Sequence, residues 1–361
     1  MPSLFSILIA ERKLHKNAGV PNYINVKPIS RKAPYHTGLN YQRMIKFSSK
    51  PLSGDMKLFI CNLFLCAAVV AKSQTHYQGP IIDMHVHVAV LPGESGKLGA
   101  SNTIQDILPL LQPNHMSNAG IITIAHAGNM AETRSRNDSL LRLHELHPLL
   151  IPICSVHPMD TTAAWEELAR LKSKGVNIVK LHPSAQHFDV ASPQVAELAE
   201  KAGDLHMALL FDSFNPEDAN ELGKLMMLAI NHPNTQFILA HMGFVHFKEL
   251  LTIQAWKRYS WYKNNIWMDV SAIAPIMGGD SPFADQIRWV IRQVGISQFI
   301  YGSDFPLFSF KESIAAVRRM GFTPAEEQKI FHDNALRLLH TLDSATRRDS
   351  AAGRFEPFPA R

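Results

Sequence analysis

The stretch IIDMHVHV (residues 81–88) combines the apolar pattern of a buried strand with three polar side chains. Successive side chains of a strand point to opposite faces. Asp83, His85 and His87 are therefore expected on one face, with the intervening apolar residues on the other. Because two imidazoles one strand repeat apart can both reach a single ion, this stretch predicts a metal-binding strand.

Strand-like and helix-like stretches alternate from Gly79 onward. Eight such pairs in about 260 residues is the expected size of a (β/α)8 TIM barrel. A doubly wound open sheet is the alternative, but no glycine-rich phosphate-binding fingerprint follows the first strand. We therefore predict an α/β protein with one barrel domain over residues 79–342. The predicted strands cover residues 81–87, 120–126, 150–156, 176–182, 207–213, 235–241, 265–271 and 298–304.

The predicted strands carry polar residues at their carboxyl ends, although buried parallel strands are usually apolar throughout. In a (β/α)8 barrel these ends meet at one mouth, where active sites lie. Burying so many ionisable groups is costly unless they are paired, solvated or bound to metal. The residues concerned are His85, His87, His126, Lys180, His182, Asp212, His241, Asp269 and Asp304.

The positive charge of the chain lies in its first segment. Residues 1–57 hold ten Lys/Arg and two acidic residues, a net charge of +8, which leaves −3 for the remainder of a chain whose total is +5. The barrel region therefore gives no reason to expect a nucleic-acid partner.

Residues 56–73 have the layout of a secretory signal peptide: Met and Lys, a short apolar run, then small residues before Gln74. The alternative is a single membrane anchor, but the apolar run is short for a spanning helix. We expect a periplasmic or secreted protein without stable membrane insertion after signal removal. Residues 1–55 are then an upstream segment without periodic pattern, expected to be disordered, as is the tail 343–361.

Five motifs in order, DMHVH, VKLHP, ILAHMG, YGSDFP and IFHDNALRLL, resemble the amidohydrolase superfamily and its amidohydrolase-2 branch of metal-dependent hydrolases with a TIM-barrel fold. The resemblance implies that His85 and His87 are metal ligands. It implies that Asp304 is both ligand and general base, and that His241 contacts metal or substrate. Lys180 matches a lysine that is carbamylated in some members and then bridges two metals.

The sequence departs from that pattern at strand five, where Asp212 occupies the position of the usual histidine. We expect Asp212 to bind the metal as a carboxylate. His182 lies on the same face as Lys180 and is assigned to substrate binding, with a ligand, proton-carrier or structural role as alternatives. Arg134, in a segment expected to form a loop at the mouth, could bind a substrate carboxylate, with a solvated loop arginine as the alternative.

The resemblance implies a hydrolase that cleaves a C–N or C–O bond of an amide, cyclic amide or lactone with metal-activated water. Zinc is the expected metal, with manganese or a metal-free lactonase as alternatives. A non-oxidative decarboxylase of a small acid is a second reading, and a binding protein that has lost catalysis is a third. The expected partner is a small-molecule substrate, and the chain could form a homodimer.

Overall fold

A computed structural model describes residues 76–279 and 281–351, with the backbone course alone for 345–351. The predicted upstream segment 1–55, the predicted signal peptide 56–73 and residues 352–361 lie outside the described residues. Within the described part, no helix combines the length and the apolar composition that crossing a membrane requires.

Eight parallel strands form one sheet in sequence order, which confirms the predicted (β/α)8 architecture. Hydrogen bonds between the first strand and the segment that follows the last strand bring the sheet close to full closure: Met84 N donates to Tyr301 O (3.0 Å) and His87 N to Phe305 O (2.8 Å). The strands are β1 (Ile81–His87), β2 (Met116–Ile122), β3 (Leu150–Ser155), β4 (Ile178–Leu181), β5 (Ala208–Asp212), β6 (Gln236–Ala240), β7 (Ile266–Asp269) and β8 (Phe299–Ile300).

Helices connect and surround the strands. In chain order they are α1 (Ile104–Leu111), α2 (Met130–Leu146), α3 (Thr162–Ser173), α4 (Pro183–Gln186), α5 (Pro193–Asp204), α6 (Glu221–Asn231), α7 (Leu251–Trp256), α8 (Ile273–Met277), α9 (Ala284–Val294), α10 (Phe310–Arg319), α11 (Pro324–Gln328) and α12 (Asn334–Ala351).

Helix α9 shows why these segments are helical. It buries Ile287, Val290, Ile291 and Val294, whose spacing places them on one helix face. Gly295 follows with φ of 110°, a conformation that glycine adopts without steric cost, and the helix ends there.

The apolar core has two layers separated by the strands. One layer fills the barrel interior with residues such as Ile82, Met84 and Ile153, and Leu338 of α12 packs into it. The other lies between the strands and the surrounding helices and includes Val86 and Val88. Along β6, for example, Phe237 and Leu239 face the helices while Ile238 and Ala240 face the interior, as the two-residue period of a strand requires.

Strand β1 breaks this alternation. Its pairing with β2 shifts register between Asp83 and Val86, so Met84 faces the interior while Val86 faces the helices. A bulge of this kind turns the side chains that follow it, and here it directs His85 and His87 into the barrel mouth. The prediction that Asp83 shares their face is therefore wrong, because strict alternation does not hold across the bulge.

Several predicted boundaries also differ from the structure, and β8 ends at Ile300 rather than at residue 304. Strand β2 spans Met116–Ile122 rather than 120–126, so His126 lies beyond the strand and is exposed. Helix α12 continues to Ala351, so residues 343–351 of the tail expected to be disordered are helical.

Candidate active site

Strand β1 and the segment after β8 bring two histidines and a carboxylate together at the barrel mouth. Asp304 Oδ1 lies 3.3 Å from His87 Nε2 and 3.6 Å from His85 Nε2. One ligand atom from each residue lies within 4.8 Å of the others, so the three can hold a metal ion. His85 is fully buried, and its Nε2 has no hydrogen-bond partner among the described residues.

Two polar residues at and just after the end of β7 contact the Nδ1 atoms of His85 and His241. Asp269 Oδ2 lies 2.9 Å from His85 Nδ1. Ser271 Oγ lies 2.9 Å from His241 Nδ1 and donates a short hydrogen bond to Asp269 Oδ1. Asp269 and Ser271 are fully buried, so water does not compete for these contacts.

A second polar group joins the ends of β4, β5 and β6. Asp212 Oδ2 lies 3.2 Å from His241 Nε2 and 3.3 Å from His182 Nε2, and Asp212 Oδ1 accepts a hydrogen bond from Phe214 N (3.1 Å). His182 Nδ1 accepts from Ala185 N (3.3 Å), which leaves its Nε2 as the protonated nitrogen that faces Asp212. Both oxygens of Asp212 are therefore already engaged.

Lys180 lies fully buried on β4 beneath these groups. Its Nζ has no hydrogen-bond partner among the described residues. Burial lowers the pKa of Lys180, and the carboxylates of Asp212, Asp269 and Asp304 act in the opposite direction. Lys180 is therefore a buried amine whose charge is favoured by three nearby carboxylates and opposed by burial.

The charge states of the site follow from burial and from these neighbours. Burial and Lys180 lower the pKa of His85 to about 4, so its ring is neutral at pH 7. Burial alone would raise the pKa of Asp269, but His85, His241 and the hydrogen bond from Ser271 together lower the pKa to about 2. Burial alone would lower the pKa of His241, but the carboxylates of Asp212, Asp304 and Asp269 together raise the pKa to about 9.

Asp304 is also held ionised. Burial alone would raise its pKa, but the hydrogen bond from His87 and the nearby rings of His85 and His241 hold the pKa well below its usual range. Asp304 and His241 both have left-handed backbone, with φ of 61° and 62°. Such strained residues are concentrated at functional sites, because the surrounding structure must fix them.

The barrel sequence matches one known protein family. Residues 82–341 match the family model described as amidohydrolase. The chain belongs to the amidohydrolase family. This confirms the resemblance identified from the motifs. No curated protein sequence matches this amidohydrolase.

Solved structures share the amidohydrolase barrel at low sequence identity. A 2,6-dihydroxybenzoate decarboxylase from Rhizobium is 18% identical with a TM-score of 0.57 and coverage of 73% of this chain and 99% of that chain. A dihydroxybenzoic acid decarboxylase from Polaromonas sp. JS666, solved with manganese and 2-nitroresorcinol, is 17% identical with a TM-score of 0.57 and coverage of 73% and 97%. A protein assigned as a 2-pyrone-4,6-dicarboxylic acid hydrolase from Pseudomonas putida is 19% identical with a TM-score of 0.54 and coverage of 73% and 98%. These likenesses establish the fold.

The donor atoms of this amidohydrolase fit a divalent metal ion. Two imidazole nitrogens and one carboxylate oxygen suit zinc or manganese. The buried Nε2 of His85 has no partner in the described part of the chain, which is the expected state of a metal ligand without its ion. A second group, formed by His85, His241 and Asp269, also has ligand atoms within 4.8 Å of one another.

Most of the predicted site residues meet at the mouth. His85, His87 and Asp304 form one cluster, and His182, Asp212 and His241 form the next, with Lys180 near both. Asp212 was expected to bind metal; in the structure it forms an ion pair with His241 and faces the neutral ring of His182.

Arg134 is not placed as expected. The segment predicted to be a loop at the mouth is helical from Met130, and Arg134 lies on α2. Its Nε donates to Glu167 Oε2 on α3 (3.2 Å) rather than to a residue of the two clusters. Because its charge is already paired with a buried carboxylate, the structure gives no support for a substrate-binding role.

Sequence reasoning did not identify Gln186. This buried residue donates from Nε2 to Ala125 O and Val156 O, each at 3.0 Å, and its Oε1 accepts from His182 N at 2.7 Å. It thereby ties the segments after β2, β3 and β4 together. No local pattern marks Gln186, because two of its partners are distant in the chain.

Proposed function

We propose that this amidohydrolase is a metal-dependent hydrolase that cleaves a C–N or C–O bond of an amide, cyclic amide or lactone. The observation that carries the proposal is the cluster of His85, His87 and Asp304, in which the Nε2 atoms approach one carboxylate oxygen to 3.6 and 3.3 Å. Ionised carboxylate and neutral imidazole side by side are the donor types of hydrolytic metal sites.

His85 Nε2, His87 Nε2 and Asp304 would hold the metal ion. When bound, a divalent ion supplies Lewis acidity that polarises a carbonyl and lowers the pKa of water. His85 already has its Nε2 directed at this position and its ring held by Asp269. The protein therefore presents the donors without a large rearrangement.

Asp304 would also act as the general base. It is ionised near neutral pH and lies beside the two histidine donors, next to the position that the metal ion would take. A carboxylate in that position can accept the proton of an attacking water and later return it to the leaving group. Loss of such a group typically lowers turnover by about 10²–10⁴-fold.

His241 and His182 would contact the substrate. The pKa of His241 is raised to about 9, so this ring carries a positive charge at pH 7 and can stabilise negative charge that develops on a substrate oxygen. The side chain of His182 is 24% exposed, which makes it accessible from the mouth. Asp212 orients both rings.

The test combines metal analysis with a substrate panel. The full-length protein, loaded with zinc or manganese, is assayed on an amide, a cyclic amide and a lactone, with acid release and carbon dioxide release measured separately. We expect acid release that disappears in Asp304→Asn and His85→Ala. His126→Ala, which removes an exposed histidine beyond β2, is the matched control and should keep activity.

Other outcomes would identify the alternatives. Release of carbon dioxide without hydrolysis would assign the chain as a non-oxidative decarboxylase that uses the same donors. Lactone hydrolysis that is equal with and without metal would assign a metal-independent lactonase. Ligand binding without turnover on any substrate of the panel would favour a binding protein. Each of these results would contradict the proposed metal-dependent hydrolysis.

We also propose that the protein is exported to the periplasm or secreted. The support is the sequence pattern of residues 56–73, with Ala71 and Ser73 before Gln74. N-terminal sequencing of the exported protein should begin at or near Gln74. An N-terminus upstream of Met56 would contradict the proposal.

A further inference from the structure

Asp269 is surrounded by hydrogen-bond donors on both of its carboxylate oxygens. Oδ1 accepts from His241 N (3.0 Å), from Ser271 N (3.0 Å) and from the Ser271 hydroxyl. Oδ2 faces His85 Nδ1 at 2.9 Å. The residue is fully buried, and these contacts engage both of its oxygens.

These contacts determine the position of one hydrogen on His85. A carboxylate without a proton can only accept, so the hydrogen of the neutral His85 ring must lie on Nδ1. Its Nε2 then carries a lone pair, and this is the buried nitrogen without a partner that faces Asp304. We infer that Asp269 is a positioning residue that selects the metal-binding tautomer of His85 and is not itself a ligand.

This inference rests on the metal site of the proposed function and distinguishes the two groups of donors found there. In the group with His85, His241 and Asp269, both oxygens of Asp269 and both nitrogens of His241 already have hydrogen-bond partners, which a metal ion would have to displace. The group with His85, His87 and Asp304 uses atoms that already face each other across the mouth. The ion therefore belongs in the latter group.

Replacing Asp269 by asparagine should reverse the tautomer. Oδ1 is fixed by two backbone N–H groups, which can only donate, so the side-chain oxygen of asparagine must stay on that side. The NH2 group is then placed against His85 Nδ1 and donates to it. The ring hydrogen of His85 moves to Nε2, where it occupies the lone pair that the metal needs.

The experiment compares wild type with Asp269→Asn in the full-length, metal-free protein labelled with 15N-histidine. Two-bond 1H–15N spectra distinguish the two tautomers, and His85→Gln identifies the resonances of His85. We expect the hydrogen on Nδ1 in wild type and on Nε2 in Asp269→Asn. Zinc affinity, measured with zinc alone, should fall by about 10–100-fold, the range typical of residues that orient metal ligands.

Asp83→Asn is the matched control. Asp83 is equally buried, but its Oδ1 accepts from the backbone N–H groups of His85 (2.9 Å) and Ser303 (3.0 Å) and does not touch the His85 ring. This variant should keep the hydrogen on Nδ1. An equal effect of both substitutions on the tautomer would show that replacement of any buried carboxyl group close to β1, rather than contact with the ring, is responsible, and would overturn the inference.

Two further results would also overturn it. One is a wild-type His85 with its hydrogen on Nε2, which can be established even if Asp269→Asn fails to fold. The other is an Asp269→Asn protein that retains the Nδ1 tautomer or wild-type zinc affinity. Absence of hydrolysis would contradict the proposed function but leave the tautomer measurement intact, so the two failures can be told apart.

Discussion

Asp212 Oδ2 lies 3.2 Å from His241 Nε2, and the two side chains form a buried ion pair between neighbouring strands of the barrel. The pKa of His241 is raised to about 9 and that of Asp212 is lowered well below its usual value. Asp212 occupies the strand-five position where the family resemblance implies a histidine ligand. In this chain the side chain at that position contacts His241.

Asp212→Asn should destabilise the protein. Removing one partner of a buried ion pair leaves the other charge uncompensated, which costs about 3–5 kcal/mol. The raised pKa of His241 contributes stability that is fully present below about pH 6.5 and is lost as the pH rises through about 9. The lowered pKa of Asp212 contributes stability that is lost only as the pH falls through its folded value.

Urea denaturation of wild type and Asp212→Asn over this pH range measures the effect. The difference in unfolding free energy should be large at pH 7 and should shrink above pH 9. The control is Asp218→Asn, which removes a nearby carboxylate that pairs with Lys224 on the surface. A pH-independent difference would argue against the His241–Asp212 pair as its source.

Glu221→Gln should make the protein relatively more stable as the pH rises. Burial, with smaller effects of Asp218 and Asp212, raises the pKa of Glu221 from 4.5 to about 8, and its Oε1 has no hydrogen-bond partner among the described residues. The folded state thus holds a proton that the unfolded chain has already released. Stability of wild type falls between about pH 4.5 and pH 8 for this reason.

Glutamine stays neutral, so the variant should lose that part of the pH dependence. Chemical denaturation at pH 5 and pH 9 provides the comparison. Glu217→Gln, at an exposed position four residues earlier, should retain the wild-type profile. Identical profiles for Glu221→Gln and wild type would show that Glu221 does not titrate in this range.

Binding of zinc should raise the thermal midpoint of the protein, and a chelator should reverse the rise. A ligand at 100 times its dissociation constant stabilises the folded state by about 2.7 kcal/mol, which corresponds to about 5–10 °C in a domain of this size. His85→Ala should abolish the shift, because it removes a central donor. His126→Ala should keep it. A shift that survives in His85→Ala would place the metal elsewhere.

Arg134→Ala should leave the KM of the enzyme unchanged for any substrate that the panel identifies. Its guanidinium pairs with Glu167, and its side chain is 49% exposed, so the pair contributes at most about 1 kcal/mol to stability. Arg170→Ala should destabilise more, since Arg170 makes two hydrogen bonds to Glu167 and one to Asp138. An increase in KM for Arg134→Ala would restore its predicted role at the substrate.

Much of the fold could be predicted because its signals are local. Short apolar stretches alternate with helical stretches, and this pattern alone implied a parallel barrel. The start of β2 could not be predicted, because the polar residues Ser117 and Asn118 interrupt its apolar pattern. Their side chains donate hydrogen bonds to the backbone carbonyl groups of Ile81 and Leu149. The helical course of residues 343–351 was missed because their composition resembles that of a polar tail.

The sequence by itself determined which chemical groups reach the barrel mouth, because a parallel barrel collects the carboxyl ends of its strands at one face. It identified His85, His87, His241 and Asp304 in this way. Only the tertiary structure decided how these groups are paired. His85 and Asp269 are 184 positions apart in the chain, and the bulge in β1 turns one toward the other. Pairing depends on strand register and barrel closure, which arise from packing of the whole domain rather than from any local pattern.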